Sequence, residues 1–224
     1  MSPVKHAVIA AAGLGSRLGH GKPKCLVEIE GVTILAQLLS RLSDVEDVRV
    51  VVGFEEKAVM AELKRIRPDA IAVRNPNFRS TTTLHSYAAG AKFLEGDCLF
   101  LDGDLLLEPE SFRRFMDSCR PNAPRLGITK TKTRDAVYVT IKDEKVTAFD
   151  RLGPAEFEWA NVAWLPIEFF RNIEDTSVYQ HLDKFLPLSA QELVSYEVDT
   201  EEELVQAREN AGLFELHGMS SERL

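Results

Sequence analysis

The chain has 224 residues, with 45% hydrophobic and 28% charged residues, and its 27 Lys and Arg stand against 35 Asp and Glu for a net charge of −8. This suits one large domain or two small ones with a buried core, excludes a mainly disordered chain, and disfavours a general nucleic-acid binder. The 13 Gly and 10 Pro follow no period, no apolar run is long enough to span a bilayer, and Cys25, Cys98 and Cys119 stand far apart with no CxxC. Neither a disulfide framework nor a zinc site is expected, and a reducing cytoplasm is the simplest location. The apolar stretch of residues 7–12 is too short for the core of a signal peptide. Charge is unevenly spread. Lys5, Arg17, Lys22 and Lys24 face only Glu28 and Glu30 in the first 30 residues, whereas residues 200–224 are strongly acidic. A basic island in an acidic chain points to a small anion held near the N-terminus.

In chain order, residues 6–10 form a short apolar run that stops at a glycine-rich stretch, and they read as a buried strand. Thr33 opens a helix with Ile34, Leu35, Leu38, Leu39 and Leu42 on one face. Residues 48–52 read as a strand closed by Gly53, residues 59–66 as a helix ended by Pro68, and residues 71–73 as a short strand. Ser80 or Thr81 is expected to cap a helix reaching about Phe93. A strand over 98–101 and a helix over 108–119 complete a β, α alternation that predicts a mostly parallel sheet with helices on both faces. Past Pro121 the pattern changes. Strands are expected at 125–129, 138–142, 146–149 and 158–164, several alternating as antiparallel strands do, with a turn at Asp143-Glu144-Lys145. A helical stretch at 168–185, a strand at 193–198 and a helix from Thr200 follow. The expectation is one α/β domain over 1–224, with a parallel half (1–120), an antiparallel extension (121–210) and a polar tail (211–224).

The most informative stretch is Ala11-Ala12-Gly13-Leu14-Gly15-Ser16-Arg17-Leu18, with Lys22-Pro23-Lys24 after it. It leaves the first strand at the carboxyl edge of the sheet, where α/β proteins bind ligands. Glycines let backbone amides approach phosphate oxygens, and Arg17 and Lys24 supply the charge that a polyphosphate needs. A dinucleotide fingerprint fails because position 18 is Leu. A Walker A loop fails because Gly21-Lys22 runs into Pro23.

This pattern, GxGxR, a spacer and then Pro23-Lys24, resembles the signature of nucleotidyltransferases that activate sugar phosphates and phospho-alcohols. The short spacer is closest to phosphocholine and inositol-phosphate cytidylyltransferases and to molybdopterin nucleotidyltransferases. The resemblance implies a Rossmann-like fold and binding of an NTP, CTP above others, by the residues 11–17 loop, Lys24, Asn75, Thr82, Ser86 and Asp102. It also implies Mg²⁺ at Asp104 of the Asp102-Gly103-Asp104 strand end and at Asp199 of Tyr196-Glu197-Val198-Asp199-Thr200. Magnesium prefers carboxylate, phosphate and water oxygens, so these residue types agree with that role. Thr200 and Glu203 also fit a capping box, and Asp199 beside them can still face the cleft.

On this reading an anionic acceptor attacks the α-phosphorus and expels pyrophosphate without a general base, and Arg17 and Lys24 act as the catalytic charges. The acceptor, a small phosphorylated alcohol or phosphonate, is assigned to the antiparallel half, with Tyr138, Trp159 and Asn161 as candidates. Regular alternation puts Trp159 and Asn161 on one face, and Glu158, Ala160, Val162 and Trp164 on the other. A sugar-1-phosphate or molybdopterin nucleotidyltransferase, and a nucleotide-sensing module without turnover, stay open as alternatives, as does a homodimer. No nucleic-acid or membrane partner is implied. Cys25 reads as a buried thiol, His6 as structural or exposed, His85 as a satisfied helix histidine, and His181 and His217 show no partner pattern; no hydrolase motif is present.

Overall fold

The computed structural model describes residues 3–15, 17–19, 21–132 and 135–214. The chain begins with β1 (His6–Ala11), a small hairpin of β2 (Glu28–Ile29) and β3 (Val32–Thr33), α1 (Ile34–Arg41), β4 (Asp47–Val52), α2 (Glu56–Ile66) and β5 (Ile71–Arg74). It continues through α3 (Thr83–Ala91), β6 (Asp97–Asp102), β7 (Leu105–Leu107) and α4 (Pro109–Ser118). The remainder holds β8 (Arg125–Lys130), β9 (Tyr138–Lys142), β10 (Lys145–Asp150), β11 (Phe157–Pro166), α5 (Val178–Asp183), β12 (Leu188–Glu192), β13 (Ser195–Glu197) and α6 (Glu201–Glu209).

Nine strands form one sheet in the order β5-β4-β1-β6-β11-β8-β12-β10-β9. The four from β5 to β6 are parallel, and β11 runs antiparallel against β6, opening the extension. β9 also meets β11 at Tyr138 and Glu158, so the far half of the sheet curls on itself. Alternation in β1 divides the core: Ala7 and Ile9 face α1, α2, α4 and α6, while Val8 faces α3 and α5. Leu35, Leu38, Phe112 and Phe115 are fully buried on the first side, and Leu84, Tyr87 and Phe100 on the second. Each such side chain contributes about 1.5–3 kcal/mol by leaving water. The Rossmann-like parallel half with helices on both faces and the antiparallel extension are as the sequence implies. No helix among the described residues is long and apolar enough to cross a membrane.

Local chemistry sets the helix starts. Thr33 caps α1 by accepting from the Ala36 N–H at 3.1 Å, and Glu108 caps α4 ahead of Pro109 by accepting from the Glu110 and Ser111 N–H groups. Thr200 and Glu203 form the expected capping box at α6. Thr200→Ala should therefore lower stability by about 1 kcal/mol, a fall of roughly 2–4 °C in Tm at this chain length, read by thermal denaturation.

Four expectations change. The cap of α3 is Thr82, not Ser80 or Thr81, and its hydroxyl donates to Thr176 O at 2.7 Å instead of capping. The 168–185 stretch is a 3₁₀ turn (Ile167–Phe170) and the short α5, not one helix. The 193–198 strand is broken at Leu193 and Val194, with β12 lying just before it; Leu193 N–H bonds Ile128 O while Val194 turns toward α4 through Ser111 Oγ. Residues 211–214 are a 3₁₀ turn with Phe214 fully buried and its carbonyl held by Arg41, so the tail does not begin at 211; residues 215–224 lie outside the described residues.

Candidate active site

The strands β1 and β6 end side by side at the carboxyl edge. Gly103 N–H donates to Ala10 O at 2.9 Å, and a Cβ at Gly103 would stand 2.8 Å from that oxygen. Only glycine lets the two chain exits approach so closely. Gly15 takes φ +61, and a Cβ there would press on Lys24 Cγ at 3.0 Å. Pro23 leads into a 3₁₀ turn (Lys24–Leu26) that turns the Lys24 ammonium inward. A cavity of about 230 Å³ results, lined by Ala11, Gly13, Leu14, Gly15, Arg17, Lys24 and the Asp102–Asp104 turn. Ala12 lies behind it, buried, with its carbonyl accepting from Phe54 N–H at 3.1 Å. Ser16, expected in the same loop, lies outside the described residues.

Backbone pairing brings the late carboxylates here. β13 pairs antiparallel with β7, setting Glu197 opposite Leu105, and Val198 N–H donates to Asp104 O at 3.0 Å. Asp104, Glu197 and Asp199 consequently offer oxygens that all lie within 4.8 Å of one another. Lys24 Nζ donates to Asp104 Oδ2 at 2.8 Å and also meets Asp199, which Arg17 reaches from the other side. Glu203 accepts from the Asp199 and Thr200 N–H groups at 2.8 and 2.9 Å, fixing the turn that aims Asp199 inward.

Crowding of like charge shows in the proton affinities. Burial, then Asp104 and Asp102, push the Glu197 carboxyl up to about 8. Burial and Asp104 push Asp102 up to about 7, and Asp102 accepts from the buried Tyr87 hydroxyl at 2.5 Å. Burial pulls the Lys24 ammonium down, but the charge and hydrogen bond of Asp104 more than offset it, and the net direction is up. Burial drives the Cys25 thiol to about 12, so it is inert despite lining the cavity. Because Glu197 binds its proton more tightly folded than unfolded, metal-free stability should fall as pH rises from about 4.5 to about 8. Glu197→Gln should flatten that decline. Melting curves from pH 5 to 8.5 in chelator check it, at about 2–4 °C for each kcal/mol; an unchanged slope in the variant would remove Glu197 from the cluster.

A second cavity, about 510 Å³, opens on the other side of the same junction and shares Arg17, Thr83 and Asp102 with the first. Its far walls come from the antiparallel half, including Lys132, Asp135, Arg151 and Tyr179. Trp159 and Asn161 line it; Tyr138 does not, being buried where β9 meets β11. The expected regular alternation fails because β11 carries a bulge between Trp159 and Ala163, with Asn161 at φ +52. Asn161 Nδ2 donates to Glu197 Oε2 at 3.0 Å, so it orients a carboxylate. Trp159 packs mainly in the core, edge-on to Phe149 with ring centroids 6.1 Å apart, while Trp164 sits in the opposite core layer.

Among the nucleotide candidates, Thr82 lines the larger cavity. Asn75 and Ser86 line neither. Both are buried, and Asn75 Nδ2 bonds Thr81 Oγ1 at 3.0 Å and Ser86 Oγ at 3.3 Å while its Oδ1 accepts from Asn77 N–H. They hold the turn before α3. The sequence reading did not single out Glu197, Lys132 or Arg151. Glu197 carried a usable signal, standing two residues before Asp199 at the end of an expected strand. Lys132, whose ammonium burial pulls down and which lies 5.1 Å above the Tyr196 ring, carried none.

A glycine loop and a carboxylate cluster thus meet between two cavities at the carboxyl edge of a Rossmann-like sheet. The chain belongs to the MobA-like NTP transferase family, whose domain matches residues 7–214. It is 33% identical over 186 residues to CMP-5'-(3-aminopropyl)phosphonate synthase of Streptomyces rubellomurinus, covering 75% of this chain and 29% of that protein. It is 32% identical over 148 residues to the bifunctional protein GlmU of Rhodopseudomonas palustris, covering 63% of this chain and 32% of that one. The chain thus spans about a third of the length of these relatives. Among solved structures it is similar to the inositol-1-phosphate CTP transferase from T. maritima, with a TM-score of 0.82 at 16% identity over 97% of this chain and 99% of that one. The CTP:phosphocholine cytidylyltransferase from Streptococcus pneumoniae gives 0.76 at 18% identity over 92% and 98%. At these identities the likeness is one of fold.

Proposed function

We propose that the chain transfers the cytidylyl group of CTP to a small phosphonate or phosphorylated alcohol and releases pyrophosphate. The observation that carries this is the junction itself: Lys24, Asp104 and Asp199 stand where a glycine-loop cavity meets a roomier one. Preference for CTP and for a phosphonate is supported by the 33% identity to a CMP-phosphonate synthase over three quarters of the chain. The smaller cavity takes the triphosphate. Lys24 and Arg17 exchange carboxylate partners for phosphate oxygens and neutralise the charge that builds on the leaving pyrophosphate. An acceptor oxygen, already anionic at neutral pH, forms the new bond to the α-phosphorus. The bond from that phosphorus to the β-phosphate oxygen breaks, and its electron pair leaves with pyrophosphate. No proton has to be removed, so positioning and charge do the work.

Divalent metal fits the residues present. Asp104, Glu197 and Asp199 form an all-oxygen donor set, and Asp104 Oδ1 is buried without a hydrogen-bond partner among the described residues. That set suits Mg²⁺, which when bound supplies charge neutralisation for the phosphates. Asn161 holds Glu197 and Glu203 holds the Asp199 turn, keeping the donors in place.

The test is pyrophosphate release with each of the four NTPs against phosphonates, phospho-alcohols and sugar 1-phosphates. Turnover with CTP and a phosphonate or phospho-alcohol is expected. Turnover only with a sugar 1-phosphate or a molybdopterin acceptor would replace the acceptor class, and nucleotide binding with no turnover would make the chain a sensing module.

A further inference from the structure

The hairpin of β9 and β10 ends with Tyr138 opposite Asp150, so the residues just before β9 and just after β10 lie side by side. Arg151 follows β10 directly, and Asp135 stands three residues before β9. Asp150 Oδ1 accepts from Leu152 N–H at 2.7 Å, which fixes the chain where Arg151 departs. The Arg151 guanidinium meets Asp135 Oδ1, and Arg17 Nη1 donates to Asp135 Oδ2 at 3.0 Å. One carboxylate thus engages two guanidinium groups, one from the glycine loop and one from the antiparallel half, and all three residues line the larger cavity.

Paired guanidinium forks are suited to planar carboxylates and equally to phosphoryl oxygens, and a dianion with three oxygens engages them more strongly than a carboxylate does. We propose that Asp135 occupies the seat of the acceptor's anionic group, and that Arg151 is the residue that holds this group once the acceptor arrives. The proposal rests on reading the larger cavity as the acceptor side. The side chains of Arg17, Arg151 and Asp135 are 56%, 41% and 65% exposed. Ion pairs so open to water are weak, so exchange of Asp135 for a substrate anion costs little. Arg17 also lines the nucleotide cavity and reaches Asp199. A triphosphate that draws Arg17 away leaves Asp135 with one cation in place of two, so nucleotide binding loosens the occupant of the acceptor seat.

Methylphosphonate is the probe, titrated into the full chain by calorimetry with Mg²⁺ and a non-hydrolysable CTP analogue present. Arg151→Gln should weaken its binding by about tenfold or more, consistent with loss of a charge-assisted fork. Asp135→Asn should tighten it by about three- to fivefold, the scale of one exposed charge pair. Affinity for the CTP analogue should stay within about twofold in Arg151→Gln, since this residue lies outside the nucleotide cavity. Arg151→Lys, which keeps the charge and loses the fork, should fall between and serves if the Gln variant fails to fold. Unchanged methylphosphonate affinity in both Arg151 variants, weaker binding in Asp135→Asn, or no binding by the unaltered chain would each overturn the proposal. Wild-type binding that depends on Arg151, without pyrophosphate release from any acceptor, would support the seat and overturn the transfer reading instead. Normal turnover with unchanged acceptor KM in Arg151→Gln would do the reverse.

Discussion

Asp104→Ala is expected to abolish turnover while leaving the fold in place. Asp104 stands just past the end of β6, its side chain 15% exposed, and it is not among the buried apolar side chains of either core layer. Its Oδ1 is buried with no hydrogen-bond partner among the described residues, so removing it leaves no donor newly orphaned other than Lys24, which keeps Asp199. What is lost is one of the three carboxylates proposed to hold a divalent ion, together with the group that pairs with Lys24. A fall of about 10³-fold or more, equivalent to roughly 4 kcal/mol of transition-state stabilisation, is the appropriate scale. Pyrophosphate release across a Mg²⁺ titration, beside a melting curve, checks it. Activity within tenfold of wild type at saturating Mg²⁺ would sink the assignment. Asp199→Asn should follow the same course.

Lys24→Ala should produce two effects with different rescue. Activity should drop by about 10²–10³-fold, as for other lost electrostatic stabilisers. Stability without metal should also drop, because Lys24 is the ammonium that Asp104 and Asp199 share, with Glu197 close by. Breaking a fully buried pair costs about 3–5 kcal/mol; with Lys24 19% exposed, about 2–4 kcal/mol is the better scale. Mg²⁺ should restore much of the stability and little of the activity, since it replaces the missing charge among the carboxylates without replacing the contact to phosphate. Lys22→Ala is the control: Lys22 is exposed and should change neither by much. If Lys22 proved essential and Lys24 dispensable, the register of the loop against the cavity would be wrong.

The parallel half was legible because its signals are local. Residues 6–10 and 98–101 are continuous apolar runs closed by glycine or aspartate, and Thr33 and Thr200 announce their helices by capping chemistry. The glycine loop with Lys24, and the Asp102-Gly103-Asp104 turn, are likewise each a short stretch of sequence that can be read on its own. What escaped depended on contacts far apart in the chain. β12 reads Leu-Ser-Ala-Gln-Glu, a sequence with little strand preference, and is held by pairing with β8 and β10. The bulge at Asn161 breaks the regular alternation expected of residues 158–164, and Asn161 there holds Glu197. Asn75 and Ser86 have the composition of ligand-binding residues, yet their polar atoms serve each other and the turn around them. Arg151 and Asp135 become neighbours only through the register of a hairpin.

The ribbon of β7 and β13 has a consequence for how the chain acquires its site. Asp104 emerges in the first half of the chain, whereas Glu197 and Asp199 follow more than ninety residues later and reach it only when Ser195–Glu197 docks on Leu105–Leu107. Contacts between segments so distant in sequence form late, after the loop between them has ordered. Until that docking, Asp104 and Lys24 form an ion pair without the Glu197 and Asp199 carboxylates. On the proposed metal reading, binding of a divalent ion would therefore report topological closure: a refolding chain should acquire its parallel core first and its affinity for Mg²⁺ last.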